Sequence, residues 1–397
     1  MRILYLALGV FDKGGIARYC RYQIRALREL AGEDNVQVLS LFGPGPNDLE
    51  EPFAVNHAGG GLGLGSEAAF FLRAMGVAAV QRAQIVWSSH LRLLPAALAL
   101  SRRTGAPLVV NIYGRELWGG RLRLLHRSTL PRADLVLSDC HFSAEFAASA
   151  YKVAPQRVQV IWGCADLERF APRERNLELL RQFGIRHHPA NRYVLTLGRI
   201  DKRARHKGYD RLIDAAAALR QYPNLILLFA GAGDDLERLR QRALAAGLAG
   251  RAYFLGAIAE DALCDVYNLC DIFALVSDRG PGRGEGILLT QLEAAACAKP
   301  VIVGNEDGAQ EAVIHDTTGF VVSPRDPAAL SGCLERLLLD ERLRLEMGRA
   351  ARARMQTHFS YEKFRERTRR ALEALGSGRA KLTPRRRFRI RTNTYRK

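Results

Sequence analysis

Short apolar runs that alternate with helical segments constrain this chain more than any other feature. Runs at 3–8, 36–41, 84–88, 107–112, 135–138 and 158–162 read as buried strands, with helical patterns at 15–30, 67–81 and 94–103 between them. The alternation restarts after residue 191, with strands at 193–197, 225–230, 251–255, 272–276 and 300–303. Helices fall at 209–220, 236–245, 262–268 and 287–298, and two more at 327–339 and 341–358. Strand–helix alternation of this kind gives parallel sheets covered by helices. The predicted fold class is therefore α/β, with two Rossmann-like halves facing across a cleft. The polar stretch 164–191, broken by Pro172 and Pro189, reads as the linker. The expected domains are 1–165, 166–360, a helix at 361–378 that crosses back to the first half, and a basic tail at 379–397.

Charge adds a second constraint. The net charge is +18, and residues 379–397 hold nine Lys or Arg and no acid, so about half the excess lies in the tail. A basic surface favours anionic partners. The tail alternates Arg with Phe388 and Ile390. It reads either as a dock on an anionic membrane leaflet or as a solvated disordered segment; nucleic-acid binding is disfavoured. No run of about 18 apolar residues predicts a transmembrane helix. The opening segment reads as a buried strand, not as a signal peptide. Seven scattered Cys without metal spacing read as reduced core thiols, which places the chain in the cytoplasm, with membrane contact at most peripheral on the inner face. No metal or other cofactor is expected.

Open α/β sheets bind ligands beyond the carboxyl ends of their strands, so residues just after strands are the candidates. Gly14 and Gly15 follow the first strand and open a helix, which is either a plain turn or an anion contact. Gly198-Arg199 leaves the strand at 193–197, and Lys207-Gly208 enters the next helix. An Arg fork and a Lys point charge at that edge suit a pyrophosphate. Lys202, Arg203, Arg205 and His206 between them read as a solvated charge run. Gly231 lies in a small-residue turn, Ala230-Gly231-Ala232-Gly233, which is either a structural turn or a nucleotide platform.

Glu285 and Glu293 are the most informative pair. On one helix they would lie about 12 Å apart, too far to share an atom but suited to two rings of one extended ligand. The N–H groups of Gly286, Ile287 and Leu288 would face a diphosphate between the rings. Glu293 lies in an apolar helical run, where an unpaired carboxylate is costly, so it needs a partner from ligand or protein.

In order, these motifs resemble glycosyltransferase family 4 with its two-domain GT-B fold. The resemblance rests on Gly198-Arg199 with Lys207-Gly208, Ala230–Gly233, and Glu285 with Glu293. It continues through Ala296–Ile302, Asp307–Val313 and Thr318–Val322, with a thinner match at Gly14–Tyr19 and Gly163–Phe170. It implies retaining transfer of a hexose-type sugar from a nucleoside diphosphate sugar to a glycan or lipid-linked acceptor in cell-envelope or polysaccharide biosynthesis. Arg199 and Lys207 would hold the diphosphate, Glu285 the donor sugar, and Glu293 the ribose. Tyr113 stands where many members carry a His near the sugar; with Glu116 and His90 it marks the expected acceptor or sugar vicinity. His90 is alternatively a structural histidine. Trp162 replaces a common Asn at the domain junction. An epimerase or phosphorylase of the same fold, or a non-catalytic binder of anionic surfaces, are the competing readings.

Overall fold

A computed structural model describes residues 1–44, 55, 57–119, 123–280 and 282–376. The tail at 379–397 lies outside the described residues. Two wholly parallel sheets form the frame. The first has seven strands: β1 (Ile3–Gly9), β2 (Val36–Phe42), β3 (His57–Ala58), β4 (Ile85–Ser88), β5 (Leu108–Ile112), β6 (Leu135–Ser138) and β7 (Val158–Val160), in the order β3-β2-β1-β4-β5-β6-β7. The second has six: β8 (Arg192–Leu197), β9 (Leu225–Ala230), β10 (Ala252–Gly256), β11 (Ile272–Leu275), β12 (Val301–Gly304) and β13 (Gly319–Val322), in the order β10-β9-β8-β11-β12-β13.

Helices cover both faces, so the central strands are buried: all four residues of β4 and all six of β9 are buried. Strand order reverses between β1 and β4, and again between β8 and β11. Such switch points open a crevice at the strand carboxyl ends, where ligands bind. The two crevices face each other.

Several elements differ from expectation. β3, of only two residues, and β13 were not among the expected strands. The helix expected from residue 287 begins at Leu289. The stretch expected to be a linker carries a helix, Leu177–Gln182, and buries Cys164, Ala165, Phe170, Leu180 and Ile185. The helix expected at 341–358 stays α-helical over Glu341–Arg354 and widens to a π turn at Met355–Phe359. The seven thiols are free, and all but Cys333 are buried.

The helix Tyr361–Gly376 lies on the first helix, Gly15–Ala31. Phe364 stacks edge-on against Tyr19, with ring centroids 5.1 Å apart, and the Arg25 guanidinium sits 4.1 Å from the Tyr361 ring centre. Among the described residues, no helix is long and apolar enough to cross a membrane.

Candidate active site

The second switch point gathers three of the singled-out residues. After β8 the chain passes Gly198 and Arg199 and winds through a 3-10 helix, Lys202–Lys207. After β11 it runs outward to Glu285. Lys207 Nζ lies 2.7 Å from Glu285 Oε1, and His206 Nε2 lies 2.8 Å from the same oxygen. Burial alone would raise the Glu285 carboxyl. The Lys207 ammonium and the His206 bond outweigh it and hold the group down at about 2. Glu285 is thus held as an anion against the Lys207 side chain.

His206 was expected in a solvated charge run. It is buried, because the 3-10 turn points it at Glu285. Arg205 is tied to Asp235 by two hydrogen bonds of 2.9 and 2.6 Å. Arg199 behaves differently: its side chain is 71% exposed and reaches Asp201 at 3.8 Å. It remains open to an incoming anion.

A buried carboxylate that the sequence did not single out supports Glu285. Asp307 accepts from Ser277 Oγ at 2.8 Å, from the Glu285 N–H at 3.1 Å and from the Ala309 N–H at 3.1 Å. Burial, reinforced by the Glu285 charge, lifts its carboxyl to about 7. This carboxyl fixes the loop that presents Glu285.

The glycines explain the later helix start. A methyl group at Gly286 would lie 2.0 Å from Asp139 Oδ2 and 2.6 Å from the Tyr113 carbonyl. Gly286 packs closely on the first half, and Leu288 keeps an extended backbone ahead of the helix. Gly286→Ala is expected to destabilise the closed arrangement by roughly 1–3 kcal/mol, as overpacking does. Urea unfolding checks this; an unchanged midpoint would show that the contact yields freely. At Gly231, with φ +134°, a methyl would meet the Gly198 carbonyl at 1.9 Å, so the Ala230–Gly233 turn needs glycine for close strand-end packing.

Matches to known proteins agree with this geometry. Residues 13–169 match the profile for Glycosyltransferase Family 4, and residues 182–354 that for Glycosyl transferases group 1. A GDP-mannose-dependent alpha-(1-6)-phosphatidylinositol monomannoside mannosyltransferase from Mycolicibacterium smegmatis is 32% identical over 306 residues, 75% of this chain and 77% of that protein. The chain belongs to glycosyltransferase family 4. A D-inositol 3-phosphate glycosyltransferase from Salinispora tropica is 31% identical over 244 residues, 58% of this chain and 49% of that one. Among solved structures, Anabaena HepE in complex with UDP and glucose aligns with a TM-score of 0.76 at 21% identity, covering 95% of this chain and 100% of that one. Its likeness supports the GT-B fold alone. The chain is thus a retaining, nucleotide-sugar-dependent glycosyltransferase.

In this family member, Glu293 does have a protein partner. Its Oε1 accepts from Arg18 Nη1, and its Oε2 accepts from the Tyr267 hydroxyl at 2.7 Å. Arg18 also donates to Glu260, which in turn meets Arg169 at 3.1 Å. Arg18 belongs to the first half, one turn after Gly14, so this buried bridge crosses the cleft. Burial would lower the guanidinium, but Glu293 and Glu260 carry it above its ordinary value. The sequence held a signal for Arg18: a cation in a helix's first turn opposes the dipole and calls for an anionic partner. Gly14 caps that helix, and its N–H donates to Asp12 at 2.7 Å. Gly15 is the first helical residue.

The residues expected near the sugar make their hydrogen bonds within the first half. The Tyr113 ring turns into the first core, where its hydroxyl accepts from Asn111 at 3.2 Å and the ring stands edge-on to Tyr19. Its carbonyl lies beside Gly286 of the second half. Glu116 accepts from the Tyr113 N–H at 2.6 Å and pins that turn. His90 caps a short helix, with Nδ1 accepting from the Arg92 N–H at 3.1 Å. Trp162 donates to Glu311 at 3.0 Å; the same carboxylate accepts the His141 and Phe142 N–H groups at 2.9 and 2.8 Å, which ties the halves together again. Asp139 is the unexpected acid: it is buried against Gly286, its Oδ1 has no partner among the described residues, and burial raises its carboxyl well above the usual range.

Proposed function

We propose that the enzyme moves a mannose-type hexose from a GDP-sugar to a membrane lipid acceptor with a phosphatidylinositol-type headgroup. The fixed Lys207–Glu285–His206 cluster at the second switch point, with Arg199 open beside it, is the observation that carries this reading. The acceptor and base follow from the relatives: one uses GDP-mannose and phosphatidylinositol monomannoside, another D-inositol 3-phosphate. The basic tail suits work at an anionic leaflet.

In this reading the bond from the sugar anomeric carbon to the diphosphate breaks. The acceptor oxygen attacks from the same face, and its proton passes to a diphosphate oxygen. Arg199 and Lys207 stabilise the charge that develops on that leaving group, while Glu285 accepts hydrogen bonds from sugar hydroxyls. Rate enhancement then comes from positioning and fixed charge.

A thermal-shift panel of GDP-mannose, UDP-glucose and UDP-galactose tests the donor. GDP-mannose is expected to give the largest rise, since a ligand at a hundred times its Kd stabilises by about 2.7 kcal/mol. Folded protein that responds to none of them would sink the proposal.

A further inference from the structure

On the flank of the cleft lies an open cavity of about 460 Å³, lined by Trp118 and Phe146 from the first half and Arg279, Gly280, Glu306 and Arg325 from the second. The Arg279 guanidinium is surrounded by rings: Phe142 at 4.9 Å, Phe146 at 5.4 Å and Trp118 at 5.7 Å to the ring centres. Among the described residues it makes no ion pair. Glu306, the acid in the wall, is already committed. Its Oε1 accepts from Arg325 Nε at 2.6 Å, and its Oε2 accepts from the Arg279 backbone N–H at 3.1 Å. Ring faces balance part of the Arg279 charge, but they do not satisfy its five N–H donors.

This cavity borders the donor site. The Trp118 indole separates the two, since a methyl group at Gly284, the neighbour of Glu285, would lie 2.6 Å from it. A transferase must bring its second substrate beside the first. The cavity opens to solvent, and its Trp118 wall packs against Gly284, next to Glu285.

We propose that this cavity is the acceptor's anion subsite. Arg279 takes a phosphate or phosphodiester group, Arg325, forked onto Glu306 through Nε and Nη2, adds positive charge at the rim, and Trp118 and Phe146 cover the apolar edge of the ring or glycerol attached to it. The inference rests on the proposed transferase reading and extends it to the second substrate.

Calorimetry on the full chain, saturated with GDP, tests the subsite with glycerophosphoinositol and myo-inositol as probes. Glycerophosphoinositol is expected to bind at least about tenfold more tightly than the neutral polyol, the scale of one charge-assisted hydrogen bond. Arg279→Gln and Arg325→Gln should each remove about that factor. Arg325 has a 72% exposed side chain, so its variant tests the site without disturbing the core. Inorganic phosphate that displaces the probe at a similar concentration supports the anion site and assigns it to a free phosphate group. Phosphate that fails to displace a bound probe supports it as a headgroup site. Equal affinity for the two probes, or unchanged binding in both variants, overturns the subsite. The titration of GDP alone keeps the two readings apart: absence of GDP binding defeats the proposed function, whereas GDP binding with equal probe affinities defeats only the subsite.

Discussion

Lys207→Ala is expected to lower kcat by about 10²–10³, the usual cost of removing one preorganised charge from a transition state. Donor affinity should fall much less, because the leaving diphosphate gains its extra charge only as the sugar bond breaks. The structure explains why this lysine should matter more than its neighbours. Arg199 is solvated and must be ordered by the ligand, whereas the Lys207 side chain is 10% exposed and already fixed 2.7 Å from Glu285. The substitution also leaves Glu285 with His206 as its remaining bonded side chain. Because Glu285 titrates below the usual carboxylate range, it stabilises the fold above about pH 4.5, and that contribution is lost as pH falls toward 2. Without Lys207 the carboxyl is held down less, so the contribution shrinks and stability should fall less between pH 4.5 and pH 2. Steady-state kinetics with unfolding curves at pH 4 and pH 7 separate the two effects. A variant within about threefold of the parent kcat would remove Lys207 from the chemistry, since a missing transition-state charge costs far more.

How far the sequence disclosed this site follows from what each residue depends on. β9 appears at its expected residues because six buried apolar positions in a row leave few alternatives, and β8 within one of its own. Lys207 and Glu285 were legible because strand ends at a switch point dictate where charges can meet. His206 was not: whether one residue of a basic run faces water or a carboxylate depends on the pitch of a 3-10 turn. Tyr113 directly follows β5, but its side chain joins the buried polar group of Asn111, Gln23 and Tyr5, which no local pattern announces. Asp307 and Asp139 were missed for a related reason. Their burial comes from contacts between distant segments, and a short acid-containing loop looks the same whether it is buried or wet.

The Glu293 bridge shows what partner information adds, and it leads to a second large effect. Glu293→Ala is expected to cost about 3–5 kcal/mol of stability, as breaking a buried ion pair does. The Arg18 side chain is 9% exposed and would keep only Glu260, while the Tyr267 hydroxyl would lose its acceptor. Arg18→Ala combined with Glu293→Ala should cost less than the sum of the two changes by about 1–3 kcal/mol, because the second removes a charge the first left unpaired. The bridge also sets a functional condition. Each Glu293 oxygen already accepts one hydrogen bond in this arrangement, so a ribose that uses this carboxylate must share it with Arg18 and Tyr267 or displace one of them. If Arg18 is the competitor, Arg18→Ala frees Glu293, and the nucleotide should bind more tightly while kcat falls because the halves are held less firmly. If Arg18→Ala weakens nucleotide binding instead, the bridge is part of the ribose site and not its rival. GDP titration and turnover measured on the same variant decide between them, because competition moves affinity and kcat in opposite directions and cooperation moves them together.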